Sequence, residues 1–361
     1  MIKFFDLEIV NKNINFDGIF KEFIEDYEYV LGSYVEKFER KYSEYIGVNY
    51  CVGVGNGSDG LQIALKALNI SNDDKVATVS NAGFYSTAAI NSVGAIPIFI
   101  DVNYDDQLID LNDLEEKIKK YKVSALFITH LFGNIVDMDK VINLTKKYGV
   151  KTIEDCSHSH GIKIKNKLAG SYADVSVFSF YPTKNLGAIG DAGAVLTNSR
   201  RIYKNILSIR QYGWSKKYVV DNKFGQNSRI DGLQAAVLIK KLDFLEDMNK
   251  SRIKIVNNYQ KNFSSTPLIL FNQSKYTPNH LYVIRTSRRD NLLKFLNNNK
   301  IQTQIHYPIP DHKQSIMRYL NCSLPVTEKL SNEILSLPFY PYMPINIQNI
   351  VIENVQKFFK V

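Results

Sequence analysis

Between about residue 50 and residue 197 the chain keeps one rhythm: a short β-branched run, a glycine or polar turn, then an amphipathic stretch. Seven runs read as strands: Tyr50 to Val54, Val76 to Ser80, Ile96 to Ile100, Val123 to Thr129, Lys151 to Glu154, Val175 to Ser179 and Gly193 to Thr197. Helical patterns lie between most of them. In Asp59 to Leu68, for example, Leu61, Leu65 and Leu68 share one face. This alternation predicts an α/β fold with a mainly parallel seven-stranded sheet flanked by helices. Such sheets bind ligands at the carboxyl ends of their strands, so the residues just after each run matter most.

Ahead of this region, Ile19 to Val30 and Val35 to Ile46 read as helices, with Ser33 a candidate cap. Behind it, Asp231 to Asp247 reads as one long helix. A different pattern follows: a further long helix, a strand at Leu281 to Thr286, a helix at Asp290 to Asn299, a strand near Gln302 to His306, and a last helix with Ile347, Val351, Val355 and Phe358 on one face. The expected organisation is a large α/β domain over residues 1–247 and a smaller C-terminal α+β domain over 248–361.

The net charge of +9 suits an anionic partner, and equally a basic, solvated surface. No segment combines clustered Lys/Arg with interleaved aromatics, so nucleic acid is not an expected partner. Three cysteines, Cys51, Cys156 and Cys322, cannot build a disulfide framework, and no CxxC pair is present, which points to a reducing, cytoplasmic setting. Acidic residues enter before any apolar stretch of signal-peptide length, and no run of about 18 apolar residues occurs. Neither secretion nor a membrane span is expected.

Three clusters carry chemistry. The first, Gly53 to Gly60, follows a strand, opens a helix and satisfies GxGxxG from Gly55. A dinucleotide site would need a carboxylate after the second strand, where Ser80-Asn81 stands instead. What survives is a helix N-terminus which, with the Ser58 hydroxyl, could hold one phosphate; the alternative is a plain tight turn. The second cluster, Thr152 to Gly161, places Asp155, Cys156, His158 and His160 at the end of the fifth strand. No further ligand pair supports a metal there, and Cys156 has no activating partner in sequence. Asp155 at the mouth of a parallel sheet is a better candidate to meet a cationic group. The third cluster holds Lys184, the one charged residue from Val175 to Gly190. Apolar surroundings lower a lysine's pKa and make it a usable amine nucleophile, unless the side chain snorkels to solvent. Together the clusters describe pyridoxal phosphate: Lys184 for a Schiff base, Asp155 for the pyridinium nitrogen, and Gly57, Ser58 and Ser179 for the phosphate.

These residues resemble the fold-type I aminotransferases that act on nucleotide-linked keto sugars, the DegT/DnrJ/EryC1/StrS family. The resemblance runs from Phe5-Asp6-Leu7 to His306-Tyr307. Its most specific stretches are Asn56 to Leu61, Glu154-Asp155, Ser179 to Gly193, Gly225 to Asp231 with Gln234 to Ala236, and His306-Tyr307-Pro308 with Pro310 and His312. It implies an aspartate-aminotransferase-like fold in which Lys184 is the Schiff-base lysine and Asp155 bonds the ring nitrogen. Gly57, Ser58 and Ser179 would hold the phosphate, joined by Asn227 of a second subunit, with Phe84 stacked on the ring and His158 near its phenolic oxygen. The implied enzyme is a homodimer with shared active sites. Lys184 separates the chain from family members that are dehydratases and carry histidine there.

Ser179 to Ala188 looks like members that aminate sugar C-3. The implied substrate is therefore a dTDP-linked 3-keto-6-deoxyhexose, with L-glutamate as donor, pyridoxamine phosphate as the intermediate cofactor form and ping-pong kinetics. The product would be a dTDP-3-amino-3,6-dideoxyhexose for a bacterial surface glycan such as O-antigen lipopolysaccharide, or for a natural product. By the same resemblance Tyr181, His306 and Tyr307 would stand near the sugar. Lys216, Lys217, Arg229 and Arg210 are candidates for the diphosphate or, equally, solvated residues, and Trp214 reads as packing. Two alternatives stay open: amination at C-4 or of a UDP sugar, and a non-catalytic, cofactor-binding regulatory protein.

Overall fold

Seven β-rich runs, each too short for a helix and each bounded by a turn, pair into one sheet, as the rhythm predicts. A computed structural model describes residues 1–271 and 277–360. The strands are β1 (Tyr50–Val54), β2 (Lys75–Val79), β3 (Ile96–Ile100), β4 (Ala125–Thr129), β5 (Lys151–Asp155), β6 (Val175–Ser179) and β7 (Gly193–Thr197), in the order β1-β7-β6-β5-β4-β2-β3. β6, β5, β4, β2 and β3 are mutually parallel, while β7 runs antiparallel to both β6 and β1. The exception has a cause. No helix follows β6, so the chain returns through residues 180–192 without the crossover that a parallel neighbour requires. That return carries Lys184.

Three N-terminal helices, α1 (Leu7–Asn11), α2 (Phe16–Asp26) and α3 (Gly32–Ile46), precede the sheet. Its helices are α4 (Gly57–Ala67), α5 (Tyr85–Ser92), α6 (Leu111–Tyr121), α7 (Met138–Tyr148) and α8 (Arg200–Ile209). On one face Val52, Phe127 and Val195 pack with Leu61, Ile90 and Ile206 of α4, α5 and α8. On the other, Phe178 and Leu196 pack with Phe38 and Tyr42 of α3. Val195 and Leu196 thus face opposite sides, the two-residue period of a strand buried on both faces.

Ser33 is not the cap of α3. Leu31, at φ +64°, is the capping residue, and the Ser33 amide donates to Glu28 Oε2 at 3.0 Å. The expected helix from Asp231 to Asp247 is two helices, α9 (Gly232–Leu242) and α10 (Leu245–Phe263), broken at Asp243-Phe244 without glycine or proline. In the C-terminal part, β8 (Ile269–Leu270), β9 (Tyr282–Arg285) and β10 (Ile334–Leu337) form a second sheet beside α11 (Arg289–Asn298), α12 (Pro325–Glu333) and α13 (Ile345–Phe359). The segment expected as a strand near Gln302 to His306 makes only a single bridge, Gln304 to Ser336, because β10 takes the ladder position beside β9. Among the described residues no helix is long and apolar enough to cross a membrane.

Candidate active site

The carboxyl ends of β4, β5 and β6 and the turn after β1 open on one cavity of about 620 Å³. Thr129, Asp155 and Ser179, the last residues of those three strands, line it. From the β1–α4 turn, Asn56 caps α4 by accepting the Asp59 amide at 2.8 Å, and Gly57 and Ser58 form the cavity wall. The close approach depends on glycine, since a Cβ at Gly57 would stand 2.6 Å from Ser179 Cβ. The first amides of α4 have no partner within the helix and carry the positive end of its dipole. Ser179 is itself held from behind: its carbonyl accepts His160 Nε2 at 2.9 Å, and His160 Nδ1 accepts the Tyr42 hydroxyl at 3.1 Å. His160 therefore positions the strand end, while His158 lines the cavity.

Lys184 enters the same cavity from the β6–β7 return, its amide bonded to Tyr181 O at 2.8 Å. Burial pulls its pKa down to about 8, against a smaller opposing pull from the Asp155 carboxylate. Asp155 accepts the Ser157 amide at Oδ1, 3.0 Å away. His158 is kept well below the ordinary histidine range, first by burial and then by Lys184, so its ring is uncharged. On the outer wall, Tyr307 sits at φ +62° with its ring stacked 6.1 Å from Phe132. Its ring occupies the space that a Cβ at Gly83 would take, 2.3 Å from Cε1. His306 hydrogen-bonds Ser336 Oγ at 2.8 Å and is held uncharged, its pKa about 4, by burial and then by Lys184. Tyr181 completes this wall.

Several expected residues lie elsewhere. Phe84 does not line the cavity: its φ of +70° turns the ring onto Phe99, Met317 and Leu324, and the next residue, Tyr85, lines the cavity instead. Arg210 is no ligand for a diphosphate. It is buried, with Nη1 2.6 Å from Glu39 Oε1 and 2.9 Å from Gly53 O. Asn227 is exposed and Arg229 half-buried, both outside the cavity wall of this one chain, as are the exposed Lys216 and Lys217. Trp214 packs between Tyr212 and Tyr218, as expected of a packing residue. Sequence reasoning missed His280, Asp191, Thr129 and Tyr85 as lining residues. Thr129 Oγ1 is buried with no hydrogen-bond partner, so the cavity presents an unmet polar group.

Behind the cavity, His130, Glu154 and Cys156 bring potential metal ligands together. His130 has no lone pair to give: Nε2 donates to Glu154 Oε1 at 3.0 Å and Nδ1 accepts the Val136 amide at 3.3 Å. Burial pushes the Cys156 thiol far up, which also removes it as a nucleophile. Burial alone would raise Glu154, but donation by His130, Gly170 N and Tyr172 N outweighs it and holds the carboxyl below its usual value. Glu154→Ala, which orphans those donors, is expected to lower stability by about 3 kcal/mol in urea unfolding at pH 7. Because the folded pKa is depressed, the contribution is present above the ordinary carboxylate range and is lost as pH falls through the depressed value. The deficit therefore shrinks on acidification.

A family model described as the DegT/DnrJ/EryC1/StrS aminotransferase family matches residues 14–356. The dTDP-3-amino-3,6-dideoxy-alpha-D-galactopyranose transaminase of Aneurinibacillus thermoaerophilus is 38% identical over 364 residues, 99% of each chain. The dTDP-3-amino-3,4,6-trideoxy-alpha-D-glucose transaminase of Micromonospora megalomicea subsp. nigra is 38% identical over 338 residues, 91% of this chain and 90% of that one. Among solved structures, S. venezuelae DesV in complex with a ketimine intermediate superposes with a TM-score of 0.95 at 32% identity, covering 100% of this chain and 99% of that one. NtdA from Bacillus subtilis with bound cofactor PMP gives 0.94 at 27% identity, covering 100% and 85%.

Proposed function

The chain belongs to the DegT/DnrJ/EryC1/StrS aminotransferase family, and from that premise we propose that it aminates C-3 of a dTDP-linked 3-keto-6-deoxyhexose, using pyridoxal phosphate and L-glutamate. One observation carries the reading: a partly buried amine, Lys184, whose pKa desolvation pulls down to about 8, shares a cavity with the Asp155 carboxylate and the N-terminus of α4. A ring nitrogen, a carbonyl carbon and a phosphate on one rigid group match those three features, and Thr129 Oγ1 is a further polar group without a partner. Gly57, Ser58 and Ser179 bind the phosphate, with Asn227 of a second copy, and the working unit is a cytoplasmic homodimer.

Bound there, pyridoxal phosphate supplies a carbonyl for the lysine and a ring that withdraws electrons from the carbon being transformed. Asp155 holds a proton on the ring nitrogen. The α4 amides bind the phosphate dianion by aligned N–H groups and a favourable dipole. His158, whose Nδ1 accepts the Phe132 amide at 3.2 Å, keeps its proton on Nε2 and can donate it to a phenolic oxygen. Lys184, with a pKa of about 8, is partly uncharged at mildly alkaline pH. It can therefore take a proton from the donor's α-carbon and return it as an acid. Tyr181, His306 and Tyr307 border the space left for the sugar.

The test is product analysis. Purified protein with pyridoxal phosphate and L-glutamate should lose its visible cofactor band. When a dTDP-3-keto-6-deoxyhexose is then added, NMR should place the new nitrogen on C-3. Turnover confined to a 4-keto sugar would overturn the regiochemistry, and a band indifferent to glutamate would overturn the donor.

A further inference from the structure

The link between β2 and α5 is fastened at both ends by one residue of the C-terminal part, Asp311. At the start of the link the Asp311 amide donates to Ser80 O at 2.8 Å, and the amide of the next residue, His312, donates to Ser80 Oγ at 3.0 Å. At its end the Asp311 carboxyl accepts the Phe84 amide on Oδ1 at 2.9 Å and the Thr87 hydroxyl on Oδ2 at 2.5 Å. Phe84 caps α5 without a side-chain acceptor of its own, so Asp311 supplies from 227 positions away the acceptor and negative charge that the helix N-terminus lacks. Between those contacts lie Ala82 and Tyr85, which line the cavity. Tyr85 stands edge-on to Tyr307, with ring centroids 6.1 Å apart and planes at 84°. Tyr307 is four residues ahead of Asp311, so both sides of this aromatic contact hang on the same clasp.

A carboxyl group is a demanding choice for the task. Asp311 is buried and makes no ion pair among the described residues, and burial pushes its pKa up to about 7 against the opposing pull of its Thr87 and Phe84 donors. An apolar side chain would fill the space without burying a charge, but it could not accept from α5. The other titratable groups around the clasp are Tyr307 on the same segment, Tyr85 on α5, Asp101 after β3, and His312 and Lys313, both bonded to Glu328 of α12. Among the described residues none of them bonds the Asp311 carboxyl. We propose that Asp311 is a positioning residue for nucleotide-sugar binding: its carboxylate clasps the start of α5 and so holds Tyr85 against Tyr307 in the wall that the sugar meets. The inference rests on the proposed reading of that wall as the sugar side of the cavity.

Protonation turns one of the two accepting oxygens into a donor and leaves the other uncharged, so the clasp loosens as pH falls through about 7. Asp311→Asn keeps the shape but carries one acceptor and one donor at every pH. The experiment measures KM for a dTDP-3-keto-6-deoxyhexose as a function of pH in wild type and in Asp311→Asn, and compares their ratio, in which titrations common to both proteins cancel. Well above pH 7 the variant's KM should be about tenfold the wild-type value, the scale of one charge-assisted hydrogen bond lost, with kcat little changed. Well below pH 7 the ratio should approach one. The donor half-reaction, read from the loss of the cofactor band with L-glutamate, should proceed at the same rate in both proteins, because Lys184 and Asp155 are not part of the clasp. A ratio that stays constant across the pH range overturns the inference and leaves Asp311 as scaffold, as does a donor half-reaction slowed by the same factor.

Should the asparagine variant fail to fold, Thr87→Val decides. It keeps the shape of a buried side chain and the carboxylate, and removes one donor. That donor pulls the Asp311 pKa down, so without it the wild-type rise in KM should begin at higher pH. A profile coincident with wild type overturns the inference. A wild type that aminates no nucleotide-linked keto sugar at any pH overturns the reading, and the inference with it; a wild type that does so while the variants match it overturns the inference alone.

Discussion

Lys184→Ala is expected to lower sugar amination by about 10⁴-fold or more, the combined loss of the covalent partner and of the acid–base group that moves the proton. Coupled amination with L-glutamate as donor reads the loss, and retained turnover would show that another residue does the chemistry. The fold should survive. Among the described residues the Lys184 side chain makes no hydrogen bond or ion pair, and its one bond, from the amide to Tyr181 O, belongs to the backbone. The sign of the stability effect follows from its pKa. A cation whose folded pKa falls from 10.5 to about 8 is disfavoured in the fold at every pH below that value. At pH 7 the alanine variant is relieved of that penalty, so its melting temperature should equal or exceed that of wild type. Uptake of pyridoxal phosphate should leave no covalently linked band. Inactivity with intact folding separates a reactive residue from one that holds the scaffold.

The parts of this site that were legible in the sequence are those whose signal is local. Lys184 stands alone in an uncharged run, and Asp155 ends a buried strand; neither needs a distant partner to be noticed. The sheet was legible for the same reason, since each strand is a short apolar run between turns. The antiparallel direction of β7 was not, because it depends on the absence of a helix after β6 rather than on anything in β7. β10 escaped notice because four residues, Ile334–Leu337, follow directly on α12 with no turn between them.

Residues defined by remote partners were misread or missed. Arg210 looked like a free cation, yet its carboxylate, Glu39, is 171 positions away. Phe84 has the ring a cofactor stack would use, but Asp311 Oδ1 accepts its amide at 2.9 Å from 227 positions on and helps fix the turn that directs the ring elsewhere. His280 gave no motif at all, because it is held by Asn185, 95 positions earlier. Spacing within a segment finds reactive groups; it does not find residues whose place is set from far along the chain.

Asp155→Asn should be nearly as damaging as loss of the lysine while leaving the local structure almost untouched. Asp155 Oδ1 accepts the Ser157 amide at 3.0 Å, and an asparagine oxygen can take over that bond. What changes is the other position, where the carboxylate oxygen becomes an NH₂ donor. A donor cannot hold a proton on the ring nitrogen; it favours the unprotonated ring, which withdraws electrons poorly. Turnover should fall by about 10²–10³-fold, the scale of losing one preorganised electrostatic partner at a reacting centre. The residue also acts on Lys184, because its charge raises the lysine's pKa against the effect of burial. Neutralising it should move the midpoint of pyridoxal phosphate uptake below 8, so the variant takes up cofactor at lower pH than wild type even as it turns over far more slowly. A structural lesion would slow both. Rate measurements of uptake and of amination on the same preparation therefore distinguish a carboxylate that sets the charge state of the site from one that only supports the end of β5.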